Sequence, residues 1–247
     1  MKIIKADNYQ SWYIEYLNNS IIIDPWLTTK LQPENSFFIQ RSKNRNSSLS
    51  QDQINKVKAI IITAPFEDHL HIESIKMFSK EITIYTSKIV SKSLIKNKIL
   101  NPIKILSESG TLIFNMNVKA LPTSYPYYSS TFSILIEDIE GNKVFHEGHR
   151  VNFKYLIKHK IKADVSILTA EESKLLGIIQ LGMNYKNTIK ASKLLESKHL
   201  FITGNQPEKT EGFIGKFIKT KTYDLDELSK NINVYINEGD LYNFNGE

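Results

Sequence analysis

The stretch that decides the fold is Val57-Lys58-Ala59-Ile60-Ile61-Ile62-Thr63-Ala64-Pro65-Phe66-Glu67-Asp68-His69-Leu70-His71. Its first half, residues 57–63, is short and almost wholly apolar, the pattern of a strand covered on both faces. A polar loop follows at once, and then Ile72, Ile75, Met77 and Phe78 form an apolar stripe at helical spacing. Strand, polar loop and helix in that order put the loop at the carboxyl end of a sheet strand, where ligands of α/β folds gather.

Outward from this unit the chain repeats the theme. Before it, Trp12, Ile14 and Tyr16 alternate with Tyr13, Glu15 and Leu17, Asn18-Asn19 supplies a turn, and Ile21-Ile22-Ile23 returns, so a β-hairpin is expected that ends at Asp24-Pro25-Trp26. After it come a second strand and helix, Ile82-Thr83-Ile84-Tyr85 and residues 89–95. Residues 103–106, 112–114, 118–121, 132–136 and 143–145 then read as strands, the last running into His146-Glu147-Gly148-His149-Arg150. A helix over 152–160, a buried strand over 165–168, a loop over 170–183, an amphipathic helix over 186–196 and the strand Leu200-Phe201-Ile202 follow. A helix begun by Asp224 and the strand Val234-Tyr235-Ile236 close the pattern. Residues 31–53 break into Pro, Asn, Ser and charged residues around Phe37-Phe38-Ile39 and read as a long loop, either a lid over a pocket or a flexible excursion. Nothing marks a domain boundary, so one domain over 1–247 is the expectation.

Composition narrows the chemistry. A chain of 247 residues with 41% hydrophobic and 23% charged residues can bury its own core. It has no cysteine, which removes disulfides, thiolate zinc sites and cysteine nucleophiles together. No secretory h-region follows Met1-Lys2-Ile3-Ile4-Lys5 and no apolar run approaches membrane length, so a cytoplasmic protein with no membrane partner is expected. The net charge of +6 is carried mostly by lysine, with arginine only at 41, 45 and 150. Nucleic acid is not the expected partner, because backbone-clamping surfaces favour arginine forks and a solvated lysine surface explains the charge. No Gly-x-Ser-x-Gly elbow or phosphate loop is present, which argues against a serine hydrolase or nucleotide enzyme.

The order of these elements, with Asp24-Pro25-Trp26-Leu27, the Asp68-His69 loop and the later Gly148-His149 turn, resembles the metallo-β-lactamase superfamily. The resemblance runs from about Ile21 to Asn205. It implies an α/β, four-layer αββα sandwich of mixed sheets with metals at one edge. The signature H-x-H-x-D-H falls on Ala64, Phe66, Asp68 and His69, so its first half is gone: neither Ala64 nor Phe66 has a lone pair for a metal. The next histidine, expected after Leu121, is also missing from Thr123-Ser124-Tyr125-Pro126-Tyr127-Tyr128-Ser129. A first zinc site needing about three protein ligands therefore cannot be assembled. The second site is less eroded. Asp68 and His69 match its ligands, His149 stands where the family has its bridging Asp, and Asn205 lies where the last histidine belongs. Glu67-Asp68-His69-Leu70-His71 and Glu147-Gly148-His149 are similar to a divergent branch of cyanobacteria and plastids that reads E-D-H-x-H and approximately E-P-H.

On this resemblance one divalent zinc, iron or manganese ion would sit on Asp68, His69 and His149, leaving a position open for water. His71 or Glu147 would serve as a further ligand or general base, and Asp24 would support the ligand loop by hydrogen bonding. Arg150 would fix an anionic group of a small-molecule substrate, with Tyr125 and Tyr127 lining its pocket. A quieter reading stays open beside this one: Asp68 caps a helix, the histidines make local hydrogen bonds, and a metal-free fold binds a protein partner or a second copy of itself through its cleft or the loop at 37–39. His146, His159 and His199 are set aside, the first because alternation turns it away from Glu147, the others because they lie at element ends beside lysines.

Overall fold

The computed structural model describes residues 1–31, 39–205 and 209–246. The apolar Phe37-Phe38 of the expected long loop lies outside them.

Two seven-stranded mixed sheets dominate the chain. In spatial order the first is Leu241–Asn243, Lys2–Lys5, Trp12–Tyr16, Asn19–Ile23, Val57–Ile61, Thr83–Thr86 and Ile103–Ile105. Its hairpin half is antiparallel, and its pairing turns parallel where Asn19–Ile23 meets Val57–Ile61. The second sheet is Asn233–Tyr235, His199–Thr203, Val165–Thr169, Lys143–His146, Phe132–Asp138, Met116–Pro122 and Thr111–Ile113, parallel as far as Lys143–His146 and antiparallel beyond.

The alternation read from sequence sorts side chains into layers. Trp12, Ile14, Ile21, Ile23 and Ile61 face Val118, Ile134, Ile136, Val144, Ile167 and Phe201 across the space between the sheets. The opposite faces, Tyr13, Ile22, Ile60 and Ile84, pack under Ile75, Val90 and Leu94 of the helices Ile72–Lys76 and Lys88–Lys96. Leu135, Phe145, Leu168 and Leu200 pack likewise against Leu156, Ala191, Leu195 and Leu228 of Phe153–His159, Tyr185–Leu195 and Leu225–Ser229. This is the four-layer αββα sandwich that the resemblance implies. Each large aliphatic or aromatic side chain among them, taken out of water, contributes roughly 1.5–3 kcal/mol, and the sandwich covers both faces of both sheets. Among the described residues no helix is long and apolar enough to cross a membrane.

Two expected loops contain structure. Residues 31–53 include the strand Gln40–Ser42, paired with Lys209–Glu211, and the helix Gln51–Lys56. That helix starts at a reciprocal capping box, in which Ser50 Oγ accepts from the Gln53 N–H at 3.2 Å and the Gln53 side chain accepts from the Ser50 N–H at 2.8 Å. Residues 170–183 hold the hairpin Glu172–Leu175 and Ile179–Gln180, which pairs with Ile218–Lys221 to form a three-stranded sheet. Strands of two to four residues carry too little periodicity to be read, and their partners lie far along the chain.

Candidate metal centre

Five chain segments end at one edge of the sandwich, and each delivers a residue to the same place. Asp24 follows the strand Asn19–Ile23, Thr63 and the Asp68-His69 loop follow Val57–Ile61, and Glu147 to His149 follow Lys143–His146. Thr169 ends Val165–Thr169 and Thr203 ends His199–Thr203. The two sheets are tied there: the Trp12 indole donates to Thr203 Oγ1 at 3.2 Å, and that hydroxyl donates to the Tyr9 carbonyl at 2.8 Å.

Asp24 is fully buried and has the left-handed φ of +46°, an unusual backbone for a side chain other than glycine. Its carboxylate accepts from the Thr63 N–H at 2.8 Å through Oδ1 and from the Thr63 hydroxyl at 2.5 Å through Oδ2. Oδ2 also lies 2.6 Å from His69 Nδ1. With the Nδ1 proton given to Asp24, the lone pair of His69 Nε2 is left free, the orientation that metal-ligating histidines generally receive from a carboxylate behind them.

Among the described residues the buried His69 Nε2 has no hydrogen-bond partner, and it lies 3.9 Å from Asp68 Oδ2. His149 Nε2 is likewise buried and unpartnered. Asp68, His69 and His149 each offer a ligand atom, and the three atoms lie within 4.8 Å of one another. Two unused imidazole nitrogens and a carboxylate converging on one point suit a divalent transition metal, since a buried polar atom with no partner is otherwise costly.

The protonation states of Asp68 and His149 suit a metal, whereas at His69 the metal must displace a proton. Burial works against ionising Asp68, but His69, Arg41 and His149 outweigh it, and its carboxyl is held down at about 2. Burial drives His149 down to about 3, with His69 pushing the same way, so its ring is neutral and one of its nitrogens has a free lone pair. Burial also lowers His69, but Asp24 and Asp68 prevail and leave it raised. The His149 ring is fixed by stacking on Tyr127, with centroids 4.4 Å apart and planes at 9°, and its edge meets Phe66. Phe66, at a position where the resemblance would place a histidine, thus serves as packing for the ligand that remains.

The other expected site residues are distributed as follows. Tyr127 and Glu67 line, with Asp68 and His149, a cleft of about 610 Å³. His71 is buried at the start of the helix Ile72–Lys76, its Nδ1 2.7 Å from Ser74 Oγ, and that hydroxyl accepts from the Leu27 N–H at 2.8 Å, so the histidine braces the Asp24 loop against the helix. Glu147 is 1% exposed and lies behind the cleft, where burial raises its carboxyl to about 8. Thr169 lies beside it, yet neither Glu147 oxygen closes a hydrogen bond of good geometry. Tyr125 is exposed, and Arg150 donates to the Tyr125 carbonyl at 3.0 Å; neither is among the residues that line the cleft. Asn205 is half-buried beside Gly204, its Oδ1 unpartnered.

Three residues at the site were not singled out in the sequence. Tyr9 donates its hydroxyl to Asp68 Oδ2 at 3.2 Å. Arg41 Nη1 is 3.5 Å from the same oxygen. His146 is buried beside Asp24 and His69, and its Nδ1 accepts from the Gly148 N–H at 3.2 Å while its Nε2 has no partner. Alternation did turn His146 away from Glu147, but the face it turns toward is the inter-sheet face shared with Val144, and at this edge that face opens on the site.

No protein-family model matches the sequence, and no curated protein matches it. Solved structures do. The chain is similar to an isothiocyanate hydrolase from Delia radicum gut bacteria, with a TM-score of 0.77, 15% identity and 99% of each chain covered. It is similar to the metallo-β-lactamase fold protein YhfI from Bacillus subtilis, with a TM-score of 0.66, 13% identity, and 98% of this chain and 99% of the other covered. Igni18, a metallo hydrolase from the archaeon Ignicoccus hospitalis, gives 0.66 at 16% identity, covering 98% of both chains. Likeness at this identity establishes the fold, and the chain has the metallo-β-lactamase fold. It carries, at the edge where its parallel strands end, a three-residue group able to hold a metal ion.

Proposed function

We propose that this chain is a hydrolase-like protein of the metallo-β-lactamase fold that holds at most one divalent metal ion, on Asp68, His69 and His149. The observation that carries the reading is the convergence of these three ligand atoms, two of them buried imidazole nitrogens with no other partner. The hydrolases and the metallo hydrolase among the similar structures support it. When bound, zinc, iron or manganese would supply Lewis acidity and activate a water for attack on an ester, amide or phosphoester. The protein's part is preparation. Asp24 and Thr63 fix the tautomer and direction of His69, Arg41 and Tyr9 hold Asp68 ionised, and Tyr127 with Phe66 fixes the His149 ring. The apolar cleft wall lowers the local polarity and would strengthen each of these electrostatic contacts.

The competing reading, a metal-free binding or scaffold protein, draws on Arg41: this cation already sits beside the Asp68 carboxylate and offsets its charge without a metal. Elemental analysis of protein made without chelator or metal-binding tag separates the two. The metal reading expects about one transition-metal ion per chain, lost on His69→Ala and on His149→Ala while both variants remain folded, as befits a three-ligand site. Metal-free wild-type protein, unaltered by zinc, iron or manganese in thermal melts, would leave the binding protein as the surviving reading.

A further inference from the structure

Among the described residues, the cation that lines the cleft is Arg41. It stands on Gln40–Ser42, opposite Thr210 of Lys209–Glu211, so a pairing between distant parts of the chain carries it to the site. Its side chain is 11% exposed and its guanidinium lies over the Tyr9 ring, 5.4 Å from the centroid. The 3.5 Å from Nη1 to Asp68 Oδ2 is longer than a formed N–H···O bond, and among the described residues Nε closes no hydrogen bond. Tyr9 already donates to that same Asp68 oxygen. A guanidinium with five donors, lying over a ring and largely withdrawn from water, is therefore left with hydrogen-bonding capacity that Asp68 does not use.

The surroundings say what would use it. Among the described residues, Arg41 is the only arginine or lysine lining the cleft. Ile39, Leu175, Leu181, Ile214 and Ile218 form an apolar wall contributed by the small sheets and the segment before Ile218–Lys221. A mainly apolar pocket with one fixed cation selects a ligand with an apolar body and one anionic end. The planar fork of a single guanidinium matches a planar carboxylate, whereas phosphate dianions generally draw on several cations or backbone donors.

We propose that Arg41 is the anchor for the carboxylate of a small organic acid whose apolar body packs against Leu175, Leu181, Ile214 and Ile218. The proposal rests on the metal reading above, because Glu67 and Asp68 also line the cleft and a bound divalent ion offsets their repulsion of an anion. It also moves the anionic end of the substrate from Arg150, which is engaged with the Tyr125 carbonyl and is not among the residues lining the cleft, to Arg41.

Calorimetric titration of the zinc-loaded full chain with hexanoate, hexanamide and hexyl phosphate tests it, with zinc content measured on the same samples. The wild type should bind hexanoate at least about tenfold more tightly than hexanamide, the scale of a charge-assisted fork. Arg41→Met, compared with the wild type at equal zinc occupancy, should bind hexanoate no more tightly than hexanamide, and Arg41→Lys should restore only part of the preference. Equal binding of hexanoate and hexanamide to the wild type, binding of neither, or a preference that survives Arg41→Met would overturn the anchor. Tighter binding of hexyl phosphate than of hexanoate would overturn the carboxylate. Loss of zinc in Arg41→Met with the preference intact would make Arg41 a positioning residue for Asp68 and refute the proposal. A wild-type chain that takes up no zinc, yet prefers hexanoate in an Arg41-dependent way, would refute the metal centre and retain the anchor.

Discussion

At His69 the whole electrostatic design of the site passes through one ring. Its Nδ1 is held at 2.6 Å by Asp24, which is itself held by both the backbone and the hydroxyl of Thr63, so the free Nε2 can point only toward Asp68 and His149. Asp24 sustains a left-handed backbone to do this, at a cost on the order of 1 kcal/mol that its buried hydrogen bonds offset. Asn tolerates the same backbone and a similar volume, so Asp24→Asn removes the charge and leaves the shape. That variant should remain folded and bind zinc roughly 10–100-fold more weakly, the usual loss when the carboxylate behind a ligating histidine is removed. Competition with a chromophoric chelator measures the difference. Unchanged affinity in Asp24→Asn would mean that the Asp24–His69 contact does not orient a ligand. The first step beyond Asp24 is also informative: Thr63→Val keeps the volume, deletes the hydroxyl that donates to Asp24, and should weaken zinc binding in the same direction by a smaller factor.

The turn from Lys143–His146 into Gly148-His149 is the element that completes the site. Gly148 has φ +72°, and a Cβ there would lie 2.1 Å from the Phe132 carbonyl oxygen of the neighbouring strand. Gly148→Ala must therefore shift backbone that carries His149, and it should cost roughly 1–3 kcal/mol or more and displace the ligand. Urea unfolding with and without zinc would show a lower midpoint and a smaller gain from the metal; a midpoint and gain equal to the wild type would remove this turn from the site. Elements of this kind were the part legible in sequence. The strands over residues 12–16, 57–61 and 165–169 are apolar enough to declare themselves, and strand ends followed by polar loops place Asp24, Asp68 and His149 at one edge. What stayed hidden depends on contacts no local pattern encodes. Tyr9 reaches Asp68 across 59 residues of chain, and Arg41 arrives on a three-residue strand whose partner begins at Lys209. His146 shows a subtler limit: alternation gives its face correctly, but only the packing of the other sheet determines that this face opens on Asp24 and His69 rather than on core.

For the molecule as a whole, the buried ionisable groups set how the metal-free fold responds to pH. His146 is driven down to about 4 and His149 to about 3, mainly by burial, so both are neutral in the folded state while their unfolded counterparts titrate near 6.5. His71 is lowered in the same sense, by burial. Below pH 6.5 the unfolded chain thus binds protons that the folded chain refuses, and stability falls as the medium is acidified. His69, raised, works the other way: the stability it contributes is present below 6.5 and is lost as the pH climbs through its folded value. Glu147 adds to the alkaline loss, because burial raises its carboxyl to about 8, so the folded chain keeps a proton that the unfolded one releases from about pH 4.5 upward. Two strongly lowered histidines outweigh the opposing pair on the acid side and have no effect above 6.5, which places the stability maximum of the chelated protein near pH 6.5. Each unmatched proton alters the unfolding equilibrium by about tenfold per pH unit. Denaturant midpoints measured in chelator at pH 4.5, 6.5 and 8 should therefore pass through a maximum at the middle value. Glu147→Gln should flatten the alkaline limb, and His146→Gln the acid one. A midpoint that rises steadily from pH 4.5 to 8, indifferent to both substitutions, would mean that these groups are not held buried in the states described. Zinc should shift the maximum upward, because it binds the neutral form of His69 and so replaces the proton whose loss would otherwise destabilise the fold.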